Sequence, residues 1–170
     1  MLKSVATLLK PNGSVILAIE NQLGLKYFAG AREDHLQIPM YGIEGRYEDN
    51  QPKTFGRASL LTMLSNSGLS ETSFLAPFPD YKLPSLILSE NYLTRDSNAW
   101  VRLSGISSRD YHGLMPPQDD LPFWQSAHQT GCLGAFANSF LIVAGIDEEQ
   151  VNRVAPFDFV QTSTLSRQPK

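Results

Sequence analysis

Leu2, Val5, Leu8 and Leu9 recur at helical spacing over the first residues, and Pro11-Asn12-Gly13 then stops the pattern. The spacing predicts a helix that ends at this turn. Ser14 to Ile19, read as SVILAI, is a continuous apolar run closed by Glu20-Asn21, the pattern of a strand covered on both faces. Helix, tight turn and buried strand together predict one step of an α/β, doubly wound sheet. From Gln22 to Thr54 the periodicity weakens for longer than an ordinary connection. Tyr27, Phe28, Ile38, Met40, Tyr41, Ile43 and Tyr47 still supply packing material, so a functional insertion is expected there.

Periodicity returns with Leu60, Leu61 and Leu64, which predict a helix from about Gly56 to Asn66, capped by Thr54 and stopped by Gly68. Two strand-like runs follow, Glu71 to Ala76 and Ser85 to Ser89. The prolines Pro77, Pro79 and Pro84 between them stiffen the connection, and an antiparallel pair closing a sheet edge is expected. After Asn91 the sequence reads as an irregular connector as far as Pro116-Pro117. A helix weakened by Gly131 and Gly134 is expected over Phe123 to Ala137, then a last strand over Ser139 to Ala144. This divides the chain into residues 1–90 and an irregular α+β extension over 91–170. The first helix lacks a polar lead and the tail QTSTLSRQPK lacks a cap, so a segment of a larger architecture is expected.

Composition narrows the function classes. The 170 residues carry 14 Lys+Arg against 17 Asp+Glu, a formal charge of -3, which argues against a phosphate-backbone partner and so against nucleic acid. A hydrophobic fraction of 42% can bury a core. The single cysteine, Cys132, excludes an internal disulfide and fits a reducing, cytoplasmic setting. No apolar run approaches the roughly 20 residues of a membrane helix, so no membrane insertion is expected.

The chain has no G-x-G-x-x-G and no G-x-x-x-x-G-K; the G-x-x-G pairs Gly42/Gly45 and Gly131/Gly134 read as turns. His35, His112 and His128 stand far apart without metal-ligand companions, so no metal site is expected. The C-terminal end of the SVILAI strand is the informative place, because ligands of open α/β sheets sit outside the carboxyl ends of strands. Glu20, Asn21, Lys26, Tyr27, Arg32, Glu33, Asp34 and His35 gather near it in the sequence. Asp34 or Glu33 with His35 forms a candidate acid-base pair, the acid holding the imidazole tautomer. The alternative is a solvated loop tip. Glu20 fits equally a partner for the next helix N-terminus. Tyr41, Tyr47, Phe78 and Tyr81 are candidates to line a pocket for a flat or sugar-like group, or to pack ordinarily.

The string LLKPNGSVILAIEN resembles the late part of class I S-adenosylmethionine-dependent methyltransferases, where a helix ends in an L-K-P-G-G-type turn and feeds the fifth strand. Asn12 stands where that pattern has Gly, a position an αL-tolerant residue can fill. ENQLGLKYFAGAREDH, GIEG, TFGRASLLTMLSNSGL and PFPDYKLP are similar to a narrower bacterial group, in which the domain accompanies glycosyltransferases in surface-polysaccharide or lipopolysaccharide synthesis. The resemblance implies a Rossmann-like sheet ending in an antiparallel hairpin, and S-adenosylmethionine as cofactor of the complete domain. It also implies that the cofactor-binding strands precede Met1, so no residue here is assigned to the cofactor and the chain alone is expected to bind none. What remains is the acceptor side: Asp34 and His35 as catalytic candidates, with Glu20, Asn21, Lys26, Tyr27 and Glu33 binding a small-molecule or glycan substrate. The competing expectation is a non-catalytic scaffolding module, self-associating through an exposed sheet edge.

Overall fold

The computed structural model describes residues 1–106, 108, 110 and 120–162. His112, Pro116-Pro117 and the tail beyond Thr162 lie outside them. Helix α1 (Leu2–Leu8) runs into the expected turn, where Asn12 has φ 66, the left-handed conformation that position demands. Strand β1 follows at Val15–Glu20, then a short α2 at Leu25–Phe28 and α3 at Arg57–Ser65. Gly68, at φ 86, closes α3 as its sequence indicates. The cap is different: Gly56, not Thr54, precedes the helix, and Thr54 is buried against Tyr47 instead.

Strands β2 (Glu71–Phe78) and β3 (Leu86–Ser89) form the expected antiparallel pair, followed by α4 at Glu90–Arg95 and a 3₁₀ turn at Ala99–Leu103. The helix anticipated over 123–137 divides at Gly131, which has φ 73, into α5 (Leu121–Gln129) and a 3₁₀ turn at Leu133–Phe136. Strand β4 occupies Ser139–Gly145. Two further elements, α6 (Glu148–Val154) and β5 (Phe159–Gln161), are too short to carry a readable period.

The strands form one mixed α/β layer, a five-stranded sheet in the order β1-β4-β2-β3-β5 with every neighbouring pair antiparallel. This corrects three expectations. The β2–β3 hairpin does not close an edge, because β4 pairs beyond β2 and β5 pairs beyond β3. The division at residue 90 does not separate two cores: β4, from the second part, lies between β1 and β2 of the first. Nor is β1 covered on both faces. Val15, Leu17 and Ile19 pack with Leu60, Leu64, Phe74, Phe140 and Ile142, whereas Ile16 is 61% exposed on the opposite side.

Alternation explains where the core sits. Phe140, Ile142 and Ala144 of β4 face α1 and α3. Ala76, Phe78, Leu86 and Leu88 continue that side toward Leu93, Leu103 and Trp124. Trp124 meets Phe78 edge-on at 5.3 Å, and its indole N–H donates to Asp120 at 3.1 Å. On the reverse side Leu75 and Val143 pack with Val151 of α6. No helix among the described residues is long and apolar enough to cross a membrane.

Candidate functional site

The polar stretch after β1 folds back because two buried asparagines tie it to the segment before β4. Asn21 Nδ2 donates to the carbonyls of Ala135 at 2.8 Å and Ala137 at 2.7 Å, while Asn138 Oδ1 accepts the Lys26 N–H at 2.8 Å. Gly24 permits the approach, since a Cβ there would lie 2.9 Å from Asn138 Cα. The start of α2 is thereby fixed against β4, and the Lys26 side chain returns beneath the end of β1.

Lys26 is 2% exposed, yet it is charged. Its Nζ lies 2.8 Å from Glu20 Oε2 and 2.9 Å from Asp34 Oδ2. Glu20 Oε1 in turn meets Lys82 Nζ at 2.7 Å, and Tyr27 donates its hydroxyl to Asp34 in a very short hydrogen bond. The result is an alternating chain, Lys82–Glu20–Lys26–Asp34–Tyr27, in which each buried charge has an opposite neighbour.

Electrostatics follow from that order. Burial opposes the Lys26 charge, but Glu20 and Asp34 outweigh it and hold the ammonium above its ordinary range. Burial likewise opposes ionisation of Asp34, yet the hydrogen bonds from Tyr27 and Lys26 prevail and hold its carboxyl low. Burial, then the Asp34 bond, pushes the Tyr27 hydroxyl far up, so it stays protonated. The Glu20 bond raises Lys82 against a smaller cost of burial. Asp34 is therefore a poor base and a good acceptor.

The other residues singled out in the sequence serve differently. Glu33 is 2% exposed; its Oε2 accepts the backbone N–H groups of His35 at 2.8 Å and Leu36 at 2.6 Å, and its Oε1 accepts the Tyr47 hydroxyl at 2.8 Å. It shapes the insertion from within. His35 is exposed, and its imidazole makes no hydrogen bond or ion pair among the described residues. Both neighbouring carboxylates are engaged elsewhere, so neither orients the ring as an acid-base pair requires. The aromatic set separates as well: Tyr41 and Tyr47 meet edge-on at 5.5 Å, while Phe78 belongs to the Trp124 core.

Beside the charged chain opens a cleft of about 610 Å³ lined by Lys26, Gly30, Arg32, Asp34, Lys82 and Asp110. A cleft of about 680 Å³ lies between α4 and α5, lined by Arg57, Leu93 and His128 among others, and contains no buried charge. We therefore place the site at the end of β1, where desolvated ionic groups meet open volume. Lys82, Asn138 and Asp110 were not singled out as site residues by the sequence. Lys82 sits in a proline-rich connection, and only its pairing with a buried Glu20 reveals a role. Among the described residues no group of His, Cys, Asp and Glu is arranged to hold a metal. Neither G-x-x-G pair forms a ligand cradle: a Cβ on Gly42 would strike the Tyr47 hydroxyl at 2.6 Å, and Gly131 is an exposed turn.

No family profile, no curated protein and no solved structure matches this chain.

Proposed function

We propose that this chain is the acceptor-side part of a Rossmann-like, S-adenosylmethionine-dependent methyltransferase domain acting on a glycan or surface-polysaccharide precursor. The observation that carries the reading is the convergence of Glu20, Lys26, Tyr27 and Asp34 beside an open cleft at the carboxyl end of β1. These residues belong to the ENQLGLKYFAGAREDH string on which the resemblance rests. Further support comes from β1 itself, whose outer edge has no strand partner among the described residues and so has room for the rest of a sheet.

The resemblance assigns no residue of this chain to the methyl donor, so the contribution proposed for it lies on the acceptor. Lys26 and Tyr27 fix the Asp34 carboxylate, which accepts a hydrogen bond from an acceptor hydroxyl, and Lys82 closes over Glu20 at the cleft wall. Positioning supplies the catalysis, and a depressed Asp34 does not remove the acceptor proton. The second reading is a non-catalytic module, favoured by the same open β1 edge, which suits pairing with a second copy.

Calorimetric titration with S-adenosylmethionine separates the two. Binding is expected in a chain extended upstream by a Gly-rich strand-turn-helix and not in the 170-residue chain. Absence of binding in both eliminates methyl transfer.

A further inference from the structure

A smaller cleft of about 340 Å³ adjoins the one beside the charged chain, sharing Lys82 and Asp110 with it and continuing past Pro79, Asp80, Leu83 and Ile106. Together their walls hold three cations, Lys26, Arg32 and Lys82, and three carboxylates, Asp34, Asp80 and Asp110. A ligand with a net charge of either sign meets its own sign there as often as its opposite. Hydrogen-bonding capacity remains on both sides among the described residues. Lys26 donates to Glu20 and Asp34 and keeps a third N–H, while Arg32 makes one contact of 3.5 Å, to the Gln37 carbonyl. Asp34 Oδ1 accepts from Lys26 alone, Asp80 accepts two backbone N–H groups through Oδ1 only, and the Asp110 carboxylate has no partner among the described residues. Lys26 and Asp34 thus present a donor and an acceptor 2.9 Å apart, and Arg32 and Asp110 bring the same combination to the same lining. A hydroxyl answers such a pair, since one oxygen both accepts from the cation and donates to the carboxylate. Gly30, Pro39, Pro79 and Leu83 lie between these groups and give apolar contact for C–H faces.

We infer that this pair of clefts takes an uncharged saccharide, with one hydroxyl held between Lys26 and Asp34 and others by Arg32 and Asp110. The inference deepens the acceptor-side reading and rests on it for a saccharide among polyhydroxylated ligands. The preference for an uncharged ligand rests on the clefts alone.

The test is a titration of the 170-residue chain, followed by ¹H–¹⁵N shifts, with glucose, galactose, mannose and N-acetylglucosamine, and with the 1-phosphate and the 2-amino analogue of glucose. At least one uncharged sugar is expected to bind, moving the amides of cleft residues such as Gly30, Arg32, Lys82 and Gly105. Its affinity should stay the same from about 0.05 M to about 0.5 M salt, because no net charge is screened. The phosphate and the amine should bind no more tightly than glucose itself. Arg32→Ala and Asp110→Ala should each weaken the uncharged sugar about tenfold, the loss of one hydrogen bond to a charged group. Arg32 is exposed and makes no buried contact, so its result is independent of folding. The inference is overturned by absence of binding for all four uncharged sugars, by shifts confined to residues away from the clefts, or by a charged analogue binding about tenfold more tightly than glucose. Undiminished affinity in either variant overturns it as well. No methyl donor is present in this experiment. Sugar binding beside a failed donor titration would retain the ligand class and remove methyl transfer, and the reverse pair of results would remove the ligand class and retain methyl transfer.

Discussion

At the scale of single residues, Lys26 is a buried cation kept charged by two carboxylates, and removing it strands both. Lys26→Met is expected to cost about 3–5 kcal/mol in urea unfolding, the usual penalty for breaking a buried pair from one side. A loss below about 1 kcal/mol would mean that Lys82 and Tyr27 suffice. The depressed Asp34 carboxyl also sets an acid limb. Its contribution is present above the unfolded-state value of about 3.9 and is lost as pH falls through the lower folded value. Asp34→Asn should therefore be less stable than the parent at pH 7, with the difference shrinking below about pH 4; a constant difference would place the acid limb on other carboxylates. The raised Lys26 and Lys82 act oppositely, their stabilisation being present below about pH 10.4 and lost as pH rises through the folded values. Glu20 through Asp34 were legible as a group because they are close in sequence. Lys82 was not, for its partner Glu20 is 62 positions away.

At the scale of elements, α2 is too short to form from propensity alone and depends on what holds its first turn. Asn138 supplies that hold, accepting from the Lys26 N–H and donating to the Pro79 carbonyl at 3.0 Å. Asn138→Ala leaves a buried amide unpaired and is expected to cost roughly 1–3 kcal/mol. Hydrogen exchange at the Lys26 amide should accelerate in that variant; unchanged protection would mean another group holds the turn. Gly24→Ala should be at least as harmful, because its Cβ meets backbone and not a side chain that can move aside. Helix α3 and the β2–β3 pair were readable from their own periodicity. The extent of α5 and the existence of α6 and β5 were not, since short elements are decided by packing against β2, β3 and β4.

At the scale of the whole molecule, the open edge of β1 governs behaviour in solution. Val15–Ile19 contains no charge, proline or bulge to discourage pairing, and Ile16 and Leu8 are 61% and 83% exposed. The 170-residue chain should show concentration-dependent association in sedimentation velocity, and Ile16→Lys should return it to monomer with little change in melting temperature. A monomer at every concentration would mean that the edge is protected. What the sequence determined by itself was local: the α1 stop at an αL asparagine, the apolar run of β1, the α3 stripe, the β2–β3 pairing and the crowding of polar groups after Glu20. These depend on neighbours within a turn or a hairpin, where spacing translates directly into contact. The tertiary structure alone decided that β4 enters between β1 and β2, that Lys82 completes the charge chain, and that Arg32 and Asp110 face one cleft. Sheet order and long-range ion pairing depend on which surfaces bury each other, and pairwise burial leaves no period in a single chain to be read.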